Sequence, residues 1–494
     1  MKRINLWMIL GLLFATSQVL VSCGDEEPEG PDGGSGTEIP GGGDEPDVPG
    51  GGDDNTPTTD EEMSPSQQKE YLEAVALDFM RMTPASDFQE ISDLCQHIDE
   101  VYGDEYEWDN VGDWAENTFE NLKSYLGKST ETERDEYYGY VYNTYYTDYK
   151  AVLMASNFTG HFTAQNNKWN YSEAKDLQFI FRDQNGQKCI LKVETSGKTK
   201  KVHMYNAEDW TDYDYDYDDN GNYIGNEYCD RIQLTIGVPE KIVVSLSQGG
   251  SDVINAVINT DLSGIDGEKF DLSRNSLSMS SVVTLNNGYT FDLSQAAYKG
   301  NVKAASTCTI KKSGKTMVSL AVSSDLSGIP SCNLDAFAGD DYDEDDFDNA
   351  NAKNAYVKLD ILGRVQIQGT ISQVREFVNY MDRAESNDNN EREFKSNVNL
   401  ANSLMNLNLF YDGKSTKQAE VRLEAFEEEN WDGERYWETE PVLYFKDGTS
   451  YSTFEAFFND VDFKSVIDMF EELLDNYEEL FPDDECYDNG GYGY

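Results

Sequence analysis

The chain has 494 residues and a formal net charge of −56, with 94 Asp and Glu against 38 Lys and Arg. A surface this acidic repels nucleic-acid phosphates and anionic lipid headgroups; divalent cations, neutral glycans and basic protein patches remain suitable partners. Seven cysteines are present and none forms a CxxC pair, so zinc-ribbon and thioredoxin-type chemistry has no support.

Met1 to Ser22 has the three parts of an export signal: Lys2 and Arg3, an apolar centre from Trp7 to Phe14, and the small-residue approach Val21-Ser22. The apolar run is shorter than the roughly 18 residues that a bilayer span requires. Leu20-Val21-Ser22-Cys23 resembles the lipobox of bacterial lipoproteins, over residues 20–23 only. That resemblance implies cleavage before Cys23, acylation of its thiol and new amino terminus, and stable membrane anchoring by several acyl chains. The acids after Gly24 are similar to the export tag of surface lipoproteins in the Bacteroidetes, which implies an outer-membrane address facing the cell exterior. Residues 23–63 consist almost wholly of Gly, Pro, acids and small polar residues, with only Ile39 and Val48 as isolated aliphatic residues before Met63. They cannot bury enough apolar surface to fold, and a flexible chain of that length reaches roughly 35 Å. They are expected to act as a disordered tether.

Helical periodicity begins at Ser64-Pro65-Ser66-Gln67, which has the N-cap, first-turn Pro and capping-box Gln of a helix start. Leu72, Val75, Ala76 and Phe79 then share a face, as do Ile91, Leu94, Cys95, Ile98 and Val101. A third helix is expected near Trp114 to Leu126, stopping at Gly127. The spacing of Tyr138, Tyr142, Tyr145 and Tyr149 predicts a fourth. The period then falls to two. Leu177, Phe179 and Phe181 lead to Asn185-Gly186, and Val283 and Leu285 lead to Asn287-Gly288, the strongest short-range hairpin signals. Further strands are expected at 232–247, 252–262, 303–311, 316–325 and 355–371, with later turns at Asp412-Gly413 and Asp447-Gly448. An internal echo relates residues 257–265 to 322–329 through the shared Asp-Leu-Ser-Gly-Ile, suggesting two copies of a β-unit. Ser372 is placed to cap a helix bearing Val374, Phe377, Val378 and Met381. Others are expected at 391–405 and 462–480, ahead of an acidic tail.

The fold class is therefore α+β, with an N-terminal helical region, a large antiparallel β-sheet region, and C-terminal helices packed on the sheet. The regions divide as signal 1–22, tether 23–63, helical region 64–155, β region 156–371, mixed C-terminal region 372–482 and disordered tail 483–494.

Chemistry-bearing motifs are sparse. Asp216, Asp218, Asn220, Gly221 and Glu227 match positions 1, 3, 5, 6 and 12 of an EF-hand loop, whose alternate oxygens wrap Ca2+. The flanks read as strands rather than helices, so a solvated hairpin loop competes with calcium binding. Ser-Gly-Lys-Thr at 196–199 and 313–316 lacks the upstream Gly of a phosphate loop, and both copies are read as turns. His97, His161 and His203 show neither metal-ligand spacing nor a nucleophile elbow. A Cys308–Cys332 bridge is left open by the sequence. Trp431, Tyr436 and Trp437 lie among charged residues and are the candidate aromatic surface for a glycan or protein ligand.

The leading functional expectation is a membrane-anchored, non-enzymatic surface lipoprotein that binds a glycan or protein partner. A second is an envelope lipid or hydrophobic-ligand carrier with a curved sheet, marked by a large apolar cavity between sheet and helices. A third is a carboxylate-dependent glycoside hydrolase. For the anchor, Cys23→Ala is expected to move the protein from the membrane fraction to the soluble or secreted fraction; unchanged membrane retention would refute it.

Overall fold

A computed structural model describes residues 62–453, apart from 104–105, 130–134, 138–139, 218–222, 266, 268, 272, 328–332, 335–352, 430–434 and 446–450. Residues 1–61, which hold the signal and all but the last two residues of the tether, the residues beyond 453 and the helix expected at 462–480 lie outside the described residues. Three helices come first: α1 (Pro65–Met82), α2 (Gln89–Tyr102) and α3 (Asp109–Glu120). Strands β1 (Lys123–Ser129), β2 (Asp135–Tyr137), β3 (Tyr140–Met154), β4 (Gly160–Gln165), β5 (Lys168–Ser172) and β6 (Leu177–Arg182) follow. A long ribbon is formed by β7 (Lys188–Tyr217) and β8 (Tyr223–Gln248). The chain continues through β9 (Ser251–Gly264), β10 (Phe270–Asp271), β11 (Ser276–Leu285), β12 (Tyr289–Lys299), β13 (Lys303–Lys312) and β14 (Lys315–Asp325). It then forms β15 (Asn333–Leu334), β16 (Asn354–Ile361) and β17 (Val365–Ser372). Helices α4 (Val374–Glu385) and α5 (Glu391–Leu404) precede β18 (Met405–Tyr411), β19 (Ala419–Glu429), β20 (Arg435–Phe445) and β21 (Tyr451–Thr453).

One sheet takes in every described strand except the small β10–β15 pair. From β6 to β21 it is an antiparallel meander, each strand pairing with the next in the sheet. Two parallel joints attach the earlier strands, β4 to β6 and β3 to the distal half of β8. The class is α+β, as the sequence indicates. The sheet also runs through both boundaries expected at 155/156 and 371/372.

The helix α1 starts as its capping box predicts: Ser64 Oγ accepts from the Gln67 N–H and Gln67 Oε1 accepts from the Ser64 N–H. The tyrosine-rich segment is a correction. Instead of a fourth helix it forms β3, and the third helix ends at Glu120, short of Gly127. The spacing of the four tyrosines is one alignment of a denser pattern; Tyr140, Tyr142, Thr144 and Tyr146 also alternate, and Tyr, Val and Thr favour a pleated surface. Ser372 does not cap α4 either. It ends β17, its hydroxyl donates to the Leu404 carbonyl at 3.0 Å, and Gln373 enters the helix in the left-handed region at φ 50°. Ser196–Thr199 is a bulge inside β7 rather than a turn, whereas Ser313-Gly314 does turn the chain between β13 and β14. The expected strand 355–371 is divided into β16 and β17 by Leu362-Gly363.

Helices cover one face of the sheet in separate patches. Tyr71 and Val75 of α1 pack on Val365, Leu409, Tyr411 and Ala419, while α4 and α5 pack through Ala384, Phe394 and Val398 against Leu423, Ala425 and Trp437. The helix α2 lies over β4 to β9 through Ile91, Leu94 and Ile98. Its position is fixed by the hairpin at Asn287-Gly288. Asn287 Nδ2 donates to the Asp87 carbonyl at 2.7 Å, and the Tyr289 hydroxyl donates to Asp87 Oδ2 and the Met82 carbonyl, both at 2.9 Å.

The dock of α1 includes a buried amide. Gln68 is 1% exposed; its Nε2 donates to the Met63 carbonyl at 3.1 Å and its Oε1 accepts from the Tyr411 hydroxyl at 3.1 Å. Nε2 also donates to the Gln418 carbonyl at 3.4 Å, so Gln68→Ala removes three bonds and leaves space beneath the helix. A loss of about 2–4 kcal/mol is expected, read as a lower urea midpoint.

Candidate ligand-binding cavity

Strand pairing puts apolar residues of distant sequence segments on one face. In the row Val193, Val244, Ala256, Val283, Phe291 and Ile310, each residue is the direct cross-strand partner of the next. Where α2 crosses this face, the fit leaves a cavity of about 340 Å³. Cys95, Ile98 and Tyr102 of α2 form its roof, and the sheet forms its floor. Burial pushes the Cys95 thiol up, so the thiol stays neutral and adds to an apolar wall.

The wall changes character from one end to the other. At the deep end Trp169, Phe179, Phe181, Leu191 and Leu246 are all buried. Trp169 is surrounded by rings, with centroids 5.9 Å away at Tyr102, 5.2 Å at Trp108 and 5.3 Å at Phe179. At the other end Met279, Ser281, Leu293 and Thr309 are partly exposed and Cys308 is exposed, which places the mouth over β11 to β13. Beyond it, Leu320 pairs with Cys308 and Val322 with Ser306, at 40% and 38% exposure, so apolar surface continues out of the mouth. Bulges at Met279/Ser281 and Leu293/Gln295 sit beside this opening, where the extra residue bends and twists the sheet.

Among the described lining residues the one carboxylate is Asp292, which is ion-paired with Lys311 at 2.7 Å. Buried charge without a partner is costly, so the pairing keeps the wall compatible with apolar cargo. Among the described residues no group of three or more His, Cys, Asp and Glu is placed to hold a metal.

The residues singled out from sequence fall elsewhere. Cys23, Asp218, Asn220 and Trp431 lie outside the described residues. Asp216 and Glu227 stand on opposite strands of the ribbon, paired with Ile224 and Tyr213 respectively. The flanks are strands rather than the helices of an EF-hand, and the two positions are three residue pairs apart and of opposite parity. Tyr436 and Trp437 belong to β20. Trp437 is held rather than presented: its ring lies 6.5 Å from Phe394, Lys395 Nζ sits 4.0 Å above it, and its backbone N–H donates to Asp388 at 2.8 Å. The charge of Glu438 pushes the Tyr436 hydroxyl up. A ring nitrogen of His97 meets the Arg182 carbonyl at 3.1 Å and His161 Nε2 meets Asp176 at 2.8 Å, both structural contacts, while His203 lies within β7. Cys308 carries a free thiol.

The cavity residues were missed as a site because their alternation reads as ordinary core; only the strand pairing shows that they enclose a space. Compared with known proteins, the chain matches no family model, and neither a curated protein nor a solved structure is similar to it.

The exposure pattern predicts the order of thiol reaction in the native protein. Cys308 is open, whereas burial pushes the Cys189 thiol up to about 11 and Cys229 is 1% exposed. Brief alkylation followed by peptide mass spectrometry should label Cys308 well before Cys189 and Cys229; equal labelling would contradict the buried placement.

Proposed function

We propose that the chain is a binding protein for a hydrophobic small molecule or lipid, carried in the cavity beneath α2 and held at the outer membrane by an acylated Cys23. The observation that supports the reading is the apolar space of about 340 Å³ between α2 and the sheet, within the size range of ligand pockets. Unfilled space is expensive in a protein interior. An apolar hollow that opens at a mouth is poorly hydrated and gains by taking an apolar occupant. The exposed apolar strip of Leu320 and Val322 outside the mouth offers an approach path for a molecule leaving a membrane or another carrier.

The glycan-platform reading draws less support, because Trp437 is partly buried against α5. Glycoside hydrolysis asks for two carboxyl groups roughly 5–9.5 Å apart across a cleft, and the described lining residues include one carboxylate, Asp292, already paired. The net charge of −56 disfavours nucleic acid as a partner.

Ala256 lies on the cavity floor between Val244 and Val283, so Ala256→Phe places a ring in the space. The variant is expected to keep a cooperative unfolding transition and to bind the neutral lipophilic dye Nile red at least about tenfold more weakly than the unaltered protein. Unchanged dye affinity in a folded variant, or no dye binding by the unaltered protein, would overturn the reading.

A further inference from the structure

The lining residues give the cavity a shape as well as a chemistry. Beyond α2 and Trp169 of β5, they come from β6, β7, β8, β9, β11, β12 and β13, which are consecutive neighbours in the sheet. Six strand spacings of about 4.8 Å carry that wall roughly 29 Å across the strands. Even over two-thirds of this span, 340 Å³ leaves a mean section of only about 18 Å². The roof is equally narrow, since Cys95, Ile98 and Tyr102 form a single stripe along α2. A hollow this long and thin holds an extended chain, and a fused-ring skeleton is too broad for it. Its two ends also differ. Phe179 and Phe181 are buried at the deep end, whereas at the mouth Ser281 is partly exposed and Cys308 is exposed.

Resting on the hydrophobic-ligand reading above, we propose that the cargo is an unbranched, medium-chain lipid with an uncharged polar head, bound tail-first with its head at the mouth. A methylene takes roughly the room of one water, about 30 Å³, so 340 Å³ holds a tail of about a dozen carbons. The direction follows from the cost of burying a polar group without a bond. At the deep end Phe179, Phe181, Leu191 and Leu246 offer a head no partner. The Tyr102 hydroxyl is already engaged with the Arg182 backbone, and the Trp169 indole nitrogen is itself enclosed. At the mouth, solvent and the Ser281 hydroxyl can meet the head. The described lining residues include no Lys, Arg or His, so an anionic head finds no cation among them, and the net charge of −56 repels it. The class is therefore a fatty alcohol, monoacylglycerol or simple acyl ester, rather than a free fatty acid, an anionic phospholipid or a polycyclic skeleton.

The test displaces Nile red from the full chain with primary alcohols from hexanol to tetradecanol. Affinity should rise about fourfold with each added carbon and level off near a dozen, where the channel is full. Leu191→Phe shortens the deep end and should move the plateau to shorter alcohols; Phe179→Leu lengthens it and should move the plateau to longer ones. The opposite shifts are independent, so either variant carries the test if the other fails to fold. A profile with no plateau, or one that a folded variant leaves in place, overturns the linear channel. The α,ω-dodecanediol, which would bury a second hydroxyl, and dodecanoate should each bind at least about tenfold more weakly than dodecanol. A diol as tight as dodecanol overturns the tail-first direction, and dodecanoate as tight as dodecanol overturns the uncharged head. In each of these outcomes Nile red still binds and the hydrophobic-ligand reading stands. If the unaltered protein binds no dye, both are overturned.

Discussion

The structure depends on an unbroken register of apolar residues across the sheet. Leu177, Val193, Val244, Ala256, Val283, Phe291, Ile310, Val318, Ile361, Val365 and Tyr411 are successive cross-strand partners from β6 to β18. A slip of one residue in any hairpin would turn every later member to the opposite face. The row therefore ties the two helical docks together: α2 rests on its first half, α1 on its last residues, and both need the same parity. Each fully buried aliphatic member contributes about 1.5–3 kcal/mol. The cavity lies where the row passes from the shelter of α2 toward the open middle of the face, so binding space and fold share one set of residues.

Local signals in the sequence were legible where the physics is local. The Ser64 capping box, the Asn-Gly turns and the two-residue alternation around them each depend on a few neighbours, and all appear as expected. What was not legible depends on partners far along the chain. The β3 segment carries a helical spacing of tyrosines, and pairing with β8 decides its conformation. Gln373 takes a left-handed backbone and displaces Ser372 from the cap position because β17 must end in register with β18. The cavity was foreseen only as a type of feature, a space between curved sheet and helices.

The internal echo has a physical counterpart. In both copies the aspartate accepts the backbone N–H two residues on, Asp261 from Ser263 at 3.0 Å and Asp325 from Ser327 at 2.8 Å. The bond lies in the last residues of β9 in one copy and just past the end of β14 in the other. Phe270 and Leu334 occupy the same place after the two aspartates and pair with each other in β10 and β15. Ile265 and Leu326 meet Tyr298 in one small core. The two copies thus meet through the β10–β15 pair, while β9 and β14 themselves lie on either side of β11, β12 and β13 in the large sheet.

The parallel joint between β3 and β8 has a consequence for how the protein is made. Val141 to Met154 pair with Ile224 to Gly237, so β3 finds that partner only after the whole of β7 and much of β8 have been synthesised. Until then its edge is open, in a segment rich in tyrosine and valine, and such waiting strands are where non-local β-proteins fold slowly and associate wrongly. A chain that reached its destination already folded would avoid that exposure; one that is threaded outward and folds on arrival must pass through it at each copy. The dense negative charge then has a use beyond setting partners, since like-charged nascent chains repel one another while β3 waits.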